Sequence, residues 1–188
     1  WEKVGVEKRD ILVDRVENAK ESQEDAQEQF SSALEAFSAA VAFDGGELEE
    51  VYDRLNGQYE DSVAASEEVS ARIDKVESVA EALFDEWSEE LDKYENASLK
   101  RDSAAKLRET QRRYTSLMKA MRKAESKMPP VLNALQDNVL YLKHNLNASA
   151  IGALQGELST IENNVAQLIG QMNSAIAESD AFIASMKN

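Results

Sequence analysis

Cysteine is absent from the 188 residues, which excludes disulfide frameworks, thiolate nucleophiles and zinc sites built on thiolates. A single histidine, His144, removes most two-imidazole metal sites and weakens any proton-shuttle argument. Seven Gly and two Pro make up about 5% of the chain against a usual share of about 12%, so there are few places to turn. Aromatics, at 6%, are scarce for a globule and suit long helices joined by narrow seams of Ala, Leu, Val and Ile. No apolar run approaches the roughly 18 residues that a membrane-spanning helix needs. With 36 acidic against 21 basic residues the formal charge is −15, which disfavours general binding to phosphate backbones and leaves room for a local basic patch. A start at Trp1 in place of Met leads to the expectation of a processed or truncated product whose targeting segment has gone.

What is present is helical periodicity, at 43% apolar residues and a length that fits one or two domains. Leu12, Val16, Ala19, Gln23, Ala26, Phe30, Ala33, Phe37 and Ala40 alternate in steps of 4 and 3, a heptad seam in which only Gln23 is polar. Helix one is expected from about Glu7 to Phe43. Asp44-Gly45-Gly46 tolerates positive φ and closes a short helical hairpin before Leu48. A second seam runs through Leu48, Tyr52, Leu55, Tyr59, Ser62, Ser66, Val69, Ile73, Val76, Ala80, Leu83 and Trp87, crossing one glycine, Gly57. It continues through Leu91 and Tyr94 and resumes at Leu107, Tyr114, Leu117, Met121, Ala124 and Met128, with a thin section between Lys100 and Arg113. The expectation is one continuous helix two from about Glu47 to Lys127, roughly 120 Å long, the alternative being a break near Asn96 to Ser98.

Pro129-Pro130 interrupts that helix, and Pro130 suits the first turn of the next. Leu132, Leu135, Val139, Leu142 and Leu146 open a third segment, about 130–187, completed by Leu154, Leu158, Ile161, Val165, Leu168, Met172, Ile176 and Ile183. Its steps near Ala150 indicate a stutter or a kink at 145–149. Helix one (about 55 Å) and the third segment (about 85 Å) would fold back on helix two from opposite ends. The fold class is therefore all-α: a single elongated antiparallel coiled-coil-like helical bundle of three to four long helices over 1–188, with tips at Gly45-Gly46 and Pro129-Pro130.

Charge is segregated. Residues 100–127 hold ten basic and three acidic side chains, a net of +7, whereas residues 1–99 net −19. Arg101, Arg108, Arg112, Lys119 and Lys123 step by 7, 4, 7 and 4 and share one helix face, the candidate interaction face. It either only solvates its helix, or binds anionic lipid or glycan, or meets protein, including head-to-tail association of the basic and acidic ends. The expected layout is a basic section leading to the Pro129-Pro130 tip and an acidic section at the Gly45-Gly46 tip.

Catalytic patterns are missing. There is no phosphate-cradling Gly-rich loop followed by Lys-Ser/Thr, and His144 has no Glu three residues before it as di-iron bundles require. Asp85, Glu86, Glu89, Glu90, Asp92 and Glu95 lack the turn of a calcium loop and read as a solvated face. Trp87, Tyr52, Tyr59, Phe30 and Phe37 fall on seams and read as core, with Tyr94 and Tyr114 more exposed. Asn96-Ala-Ser98 and Asn147-Ala-Ser149 match the glycosylation sequon in what reads as helical context.

The opening stretch Trp1-Glu-Lys-Val-Gly-Val-Glu-Lys-Arg-Asp-Ile-Leu-Val-Asp-Arg-Val and the segment Tyr141-Leu-Lys-His-Asn-Leu-Asn-Ala-Ser-Ala-Ile-Gly-Ala-Leu carry a resemblance. With the helical pattern between them, they resemble an uncharacterised family of Gram-negative bacterial proteins carried as a domain of unknown function, over nearly the whole chain. The resemblance implies a lipoprotein-like precursor with a lipid-accepting Cys before this start, hence a periplasmic protein tethered by an N-terminal lipid anchor absent from this sequence. Some members bear labels connecting them to DNA repair ATPases, against which the missing phosphate loop here speaks. The family supplies no catalytic residues.

The functional expectation is a non-enzymatic structural or protein-interaction rod at the bacterial cell envelope. The alternative is a binding module for anionic lipid or glycan that uses the basic face between Lys100 and Lys127. Expected partners are another protein or a second copy, with an anionic membrane surface as the other option; no cofactor, metal, nucleic acid or small-molecule substrate is expected.

Overall fold

Gly45 and Gly46 have φ of 133° and 124°, a region that L side chains rarely enter, and the chain reverses on them between two long helices. The computed structural model describes residues 2–43 and 45–187; Trp1, Asp44 of the expected turn and residue 188 lie outside the described residues. The helices in order are α1 (Glu2–Val41), α2 (Leu48–Leu91), α3 (Ala97–Ser126), α4 (Met128–His144) and α5 (Ala148–Lys187), with no strand among the described residues.

Cross-helix pairs set the topology. α1 and α2 are antiparallel, since Lys8 pairs with Glu86 near one end and Gln29 Nε2 donates to Ser62 Oγ at 3.3 Å farther along. α3 runs back along α2, Trp87 meeting Ser103 and Arg122 meeting Asp74. α5 returns along α1: Gln155 Nε2 donates to the Val41 carbonyl at 2.8 Å, and Lys20 pairs with Asp180 at 2.7 Å. α1 packs beside α2 and α5, the α3–α4 column packs beside the same two helices, and no described α1 Cα comes within 8 Å of one in α3 or α4. The fold is an all-α, up-down-up-down antiparallel bundle of four columns, with α1 diagonal to α3–α4 and α2 diagonal to α5.

The seams form the core. All nine α1 seam positions, Gln23 included, are buried, and α2 buries Leu55, Ser62, Val69, Ile73, Val76, Ala80, Leu83 and Trp87 in the expected register. In α5, Ile161, Val165, Leu168 and Met172 are core, but the seam then passes to Ala175, Ser179 and Phe182, which leaves Ile176 and Ile183 at its edge. Leu146 is 47% exposed at a chain reversal and not in a seam.

The single helix from 47 to 127 does not form. The chain reverses at 92–96, where the Asn96 Oδ1 accepts the backbone N–H of Ser98 and Leu99 at 3.0 and 3.1 Å and starts α3. The reversal lets Phe84 of α2 pack edge-on against Tyr114 of α3, centroids 5.3 Å apart at 70°. The thin section from Lys100 onward is thus the start of a separate helix at the bundle end.

Pro129-Pro130 is not a tip. Lys127 stays in the right-handed helical region (φ −89°, ψ −9°), and the prolines occupy the first turn of α4, where missing donors cost nothing. The helix direction is interrupted there but not reversed, and α4 packs on α2 and α5 as α3 does. The reversal comes instead at 145–147: Asn145 leaves the helical region (φ −138°, ψ 65°), and Asn147 Oδ1 accepts from the Ala150 N–H at 3.1 Å to open α5. One bundle end therefore carries Gly45-Gly46 and the 145–147 loop, the other the 92–96 loop. The 44 residues of α2 span about 66 Å, so the bundle is about half the expected length.

Candidate functional site

α3 is strongly two-faced. Leu107, Leu117, Met118, Met121 and Ala124 are buried, and the five residues predicted as an interaction face, Arg101, Arg108, Arg112, Lys119 and Lys123, are all exposed on the other side. The structure thus brings all five together on one outward ridge. It lies along the side of the bundle, next to α2 and α5, so the two charges are segregated by side and not by end as expected.

The ridge is not uniform. Arg112 bonds Glu109 with both Nη2 (2.6 Å) and Nε (3.0 Å), and Arg113 Nε adds a contact at 2.9 Å. The Arg112 guanidinium first, then that of Arg113, holds the Glu109 carboxyl down at about 2. Lys100 and Lys106 are similarly answered by Asp92 and Asp102. Arg122 faces inward: burial disfavours its charge, but hydrogen bonds to Glu77, Asp74 and Glu125 prevail and raise its pKa, so it ties α3 to α2. Arg101, Arg108, Lys119 and Lys123 have no ion pair among the described residues, which leaves four free cations on the ridge.

A second ridge went unrecognised in the sequence. Glu7, Asp10, Asp14, Glu17, Glu21, Glu24 and Glu28 of α1 step by 3, 4, 3, 4, 3 and 4, and all are exposed. That spacing is the available signal, since it mirrors the buried seam from the opposite side of the same helix. Because α1 is diagonal to α3, the acidic and basic ridges occupy opposite corners of the bundle.

At the bundle end closed by the 92–96 loop, an open cleft of about 470 Å³ is lined by Trp87, Arg9, Leu83, Tyr94, Leu99 and Glu90 among other described side chains. The Arg9 guanidinium lies 4.7 Å from the Trp87 ring centroid, and Trp87 Nε1 donates to Ser103 Oγ at 2.8 Å. Of the lining acids, Glu86 pairs with Lys8 and Asp102 with Lys106. His144 is exposed at the far end of α4 and has no place in this cleft.

Other predicted positions sort as follows. Phe30, Phe37 and Trp87 are core, Tyr52 and Tyr59 pack against it, and Tyr94 is 41% exposed. Tyr114 is not exposed as expected; its burial first, then Glu77 and Glu81, push its phenol up to about 12. Both sequon matches have their Asn at a helix start, outside the expected helical context, because the residue pattern is that of an Asn cap. The carboxylates from Asp85 to Glu95 form no metal-binding group among the described residues, and no described helix is long and apolar enough to cross a membrane.

The family model described as a protein of unknown function (DUF2959) matches residues 1–186, and the chain belongs to that family. No curated protein matches it.

Proposed function

We propose that this chain is a non-enzymatic structural or protein-interaction bundle of the bacterial cell envelope, acting through its charged surface. The observation that carries the reading is the α3 ridge: four exposed cations without ion-pair partners among the described residues, on a chain of formal charge −15. Charged side chains left unanswered on a rigid helix provide long-range attraction and orientation for an acidic partner. The bundle-end cleft fits this reading: two of its three lining carboxylates, Glu86 and Asp102, are held in ion pairs, and its indole is capped by Arg9. Placement in the periplasm, on an N-terminal lipid anchor, rests on the lipoprotein-like pattern that the resemblance implies.

The same free cations favour one second reading, a docking face for anionic lipid or glycan. A photo-crosslinking residue at Lys119, activated in living cells, tests the choice. The expected result is a discrete protein adduct that Arg108→Glu with Lys123→Glu removes. Absence of any protein adduct, together with salt-sensitive cosedimentation of the purified chain with anionic vesicles, replaces the first reading by the second.

A further inference from the structure

From the two ridges we infer that the partner is a second copy of this chain, and that copies associate side by side, α3 of one against α1 of the next, into an open-ended row. This rests on the reading of the α3 face as a protein contact and supplies its occupant.

Three features of the bundle fit together. α1 and α3 are parallel, each being antiparallel to α2. They also start at the same height, since Trp87 meets Arg9 of α1 and Ser103 of α3 at the same end. Glu7 to Glu28 and Arg101 to Lys123 each span about 32 Å of helix. A copy moved sideways by one bundle width, without rotation, therefore sets a basic ridge beside an acidic one of matching length and direction.

On the acidic side Glu17, Glu24 and Asp14 have local partners in Lys187, Lys20 and Arg15, whereas Glu7, Asp10, Glu21 and Glu28 have none among the described residues. Four free carboxylates thus face four free cations. Because the ridges sit on opposite corners, a two-fold dimer cannot pair both at once. The contact is heterologous and repeats, which gives rows in place of closed dimers.

Magnitudes make this contact weak and salt-tuned. A strip about 32 Å by 10 Å on each partner buries roughly 600 Å² in all, below the ~1,200 Å² of a standard interface. Copies of charge −15 also repel. At 10 mM salt the Debye length of about 30 Å exceeds the bundle width of about 20 Å, so whole-molecule repulsion wins. At 150 mM it is about 8 Å, which screens the far sides and leaves the touching ridges; at 1 M, about 3 Å, the ridges are screened too.

Sedimentation velocity of the purified chain, over a range up to about 1 mM, tests this at the three salt concentrations. The expected outcome is reversible growth beyond dimer at 150 mM, reduced at least severalfold at both 10 mM and 1 M. Arg108→Glu with Lys119→Glu and Lys123→Glu is expected to abolish it, as is Asp10→Lys with Glu21→Lys and Glu28→Lys. Mixing the two variants, or combining all six changes in one chain, is expected to restore association, because each contact again joins opposite charges. All six positions are exposed, and circular dichroism of each variant verifies the fold. A chain that stays monomeric at every salt concentration, or a mixture that does not recover, overturns the proposal. If in that case the Lys119 crosslink still captures another protein, the interaction reading stands and only the copy-to-copy contact falls; if it captures none, both fall.

Discussion

Trp87 of α2 donates its indole N–H to the Ser103 hydroxyl of α3 at 2.8 Å, while the Arg9 guanidinium of α1 lies 4.7 Å from the same ring's centroid. One side chain, 8% exposed, thus joins three helices at the 92–96 reversal. Trp87→Ala removes the packing of a large buried ring and is expected to cost about 3–5 kcal/mol, whereas Ser103→Ala removes only the hydrogen bond, at about 1 kcal/mol. Urea unfolding measures both. A Trp87→Ala cost below about 1 kcal/mol is incompatible with this end being held by the indole.

The two asparagine caps sit at opposite ends of the bundle and do equivalent work. Asn96 Oδ1 answers two orphan N–H groups of α3, and Asn147 Oδ1 answers that of Ala150 in α5. Asn96→Ala and Asn147→Ala are each expected to cost about 1 kcal/mol, with Asp in either place retaining most of it. Being tens of ångströms apart they share no partner, so the double variant should show the sum to within about 0.5 kcal/mol. A clear departure from additivity means that the two reversals are coupled through the column between them.

Heptad seams were legible because their period is local: the positions from Leu12 to Ala40 are buried as spaced, whatever the helix packs against. The break near Asn96 was legible only as the alternative to a continuous helix, and its being a full reversal was not, because it uses no Gly or Pro. Its signal is one Asn cap that also matches a sequon, and a continuous helix satisfies the flanking heptads equally well. The prolines misled in the opposite direction, since a first-turn proline permits a helix to carry on after Lys127. The basic face was readable from its 7, 4, 7, 4 spacing. Which of its cations stay free was not: the Glu109 fork is local, but Arg122 reaches Asp74, 48 residues away, and that depends on topology. The opposition of the α1 and α3 ridges is likewise a property of ring order, which no local pattern encodes.

Gln23 is the polar break in the first seam. It is fully buried, and neither its amide oxygen nor its amide nitrogen has a hydrogen-bond partner among the described residues. Gln23→Met keeps the length of the side chain and removes both polar atoms, so it is expected to stabilise the bundle by about 1–3 kcal/mol. At about 2–4 °C per kcal/mol for a chain of this size, thermal unfolding resolves the change. A lower midpoint in place of a higher one requires that the amide be satisfied in solution, and the residue then serves the register of α1 against its neighbours.

Tyr114 links the core to alkaline stability. Its ring packs edge-on against Phe84, and burial, with Glu77 and Glu81 nearby, raises the phenol from 10.0 to about 12. The folded chain therefore keeps this proton between about pH 10 and 12 while the unfolded chain gives it up. The unfolded state then binds fewer protons, so stability falls as pH rises through that window. Tyr114→Phe preserves the ring and abolishes the titration. Its stability at pH 7 should match the parent to within about 0.5 kcal/mol, since the hydroxyl has no hydrogen-bond partner among the described residues. Between pH 10 and 12 the variant should lose less stability than the parent, which isolates this phenol from the four other tyrosines. Parallel losses in the two proteins across that window show that the Tyr114 phenol ionises at its ordinary pKa, with the ring reaching solvent and α3 sitting more loosely on α2 than the Phe84 contact implies.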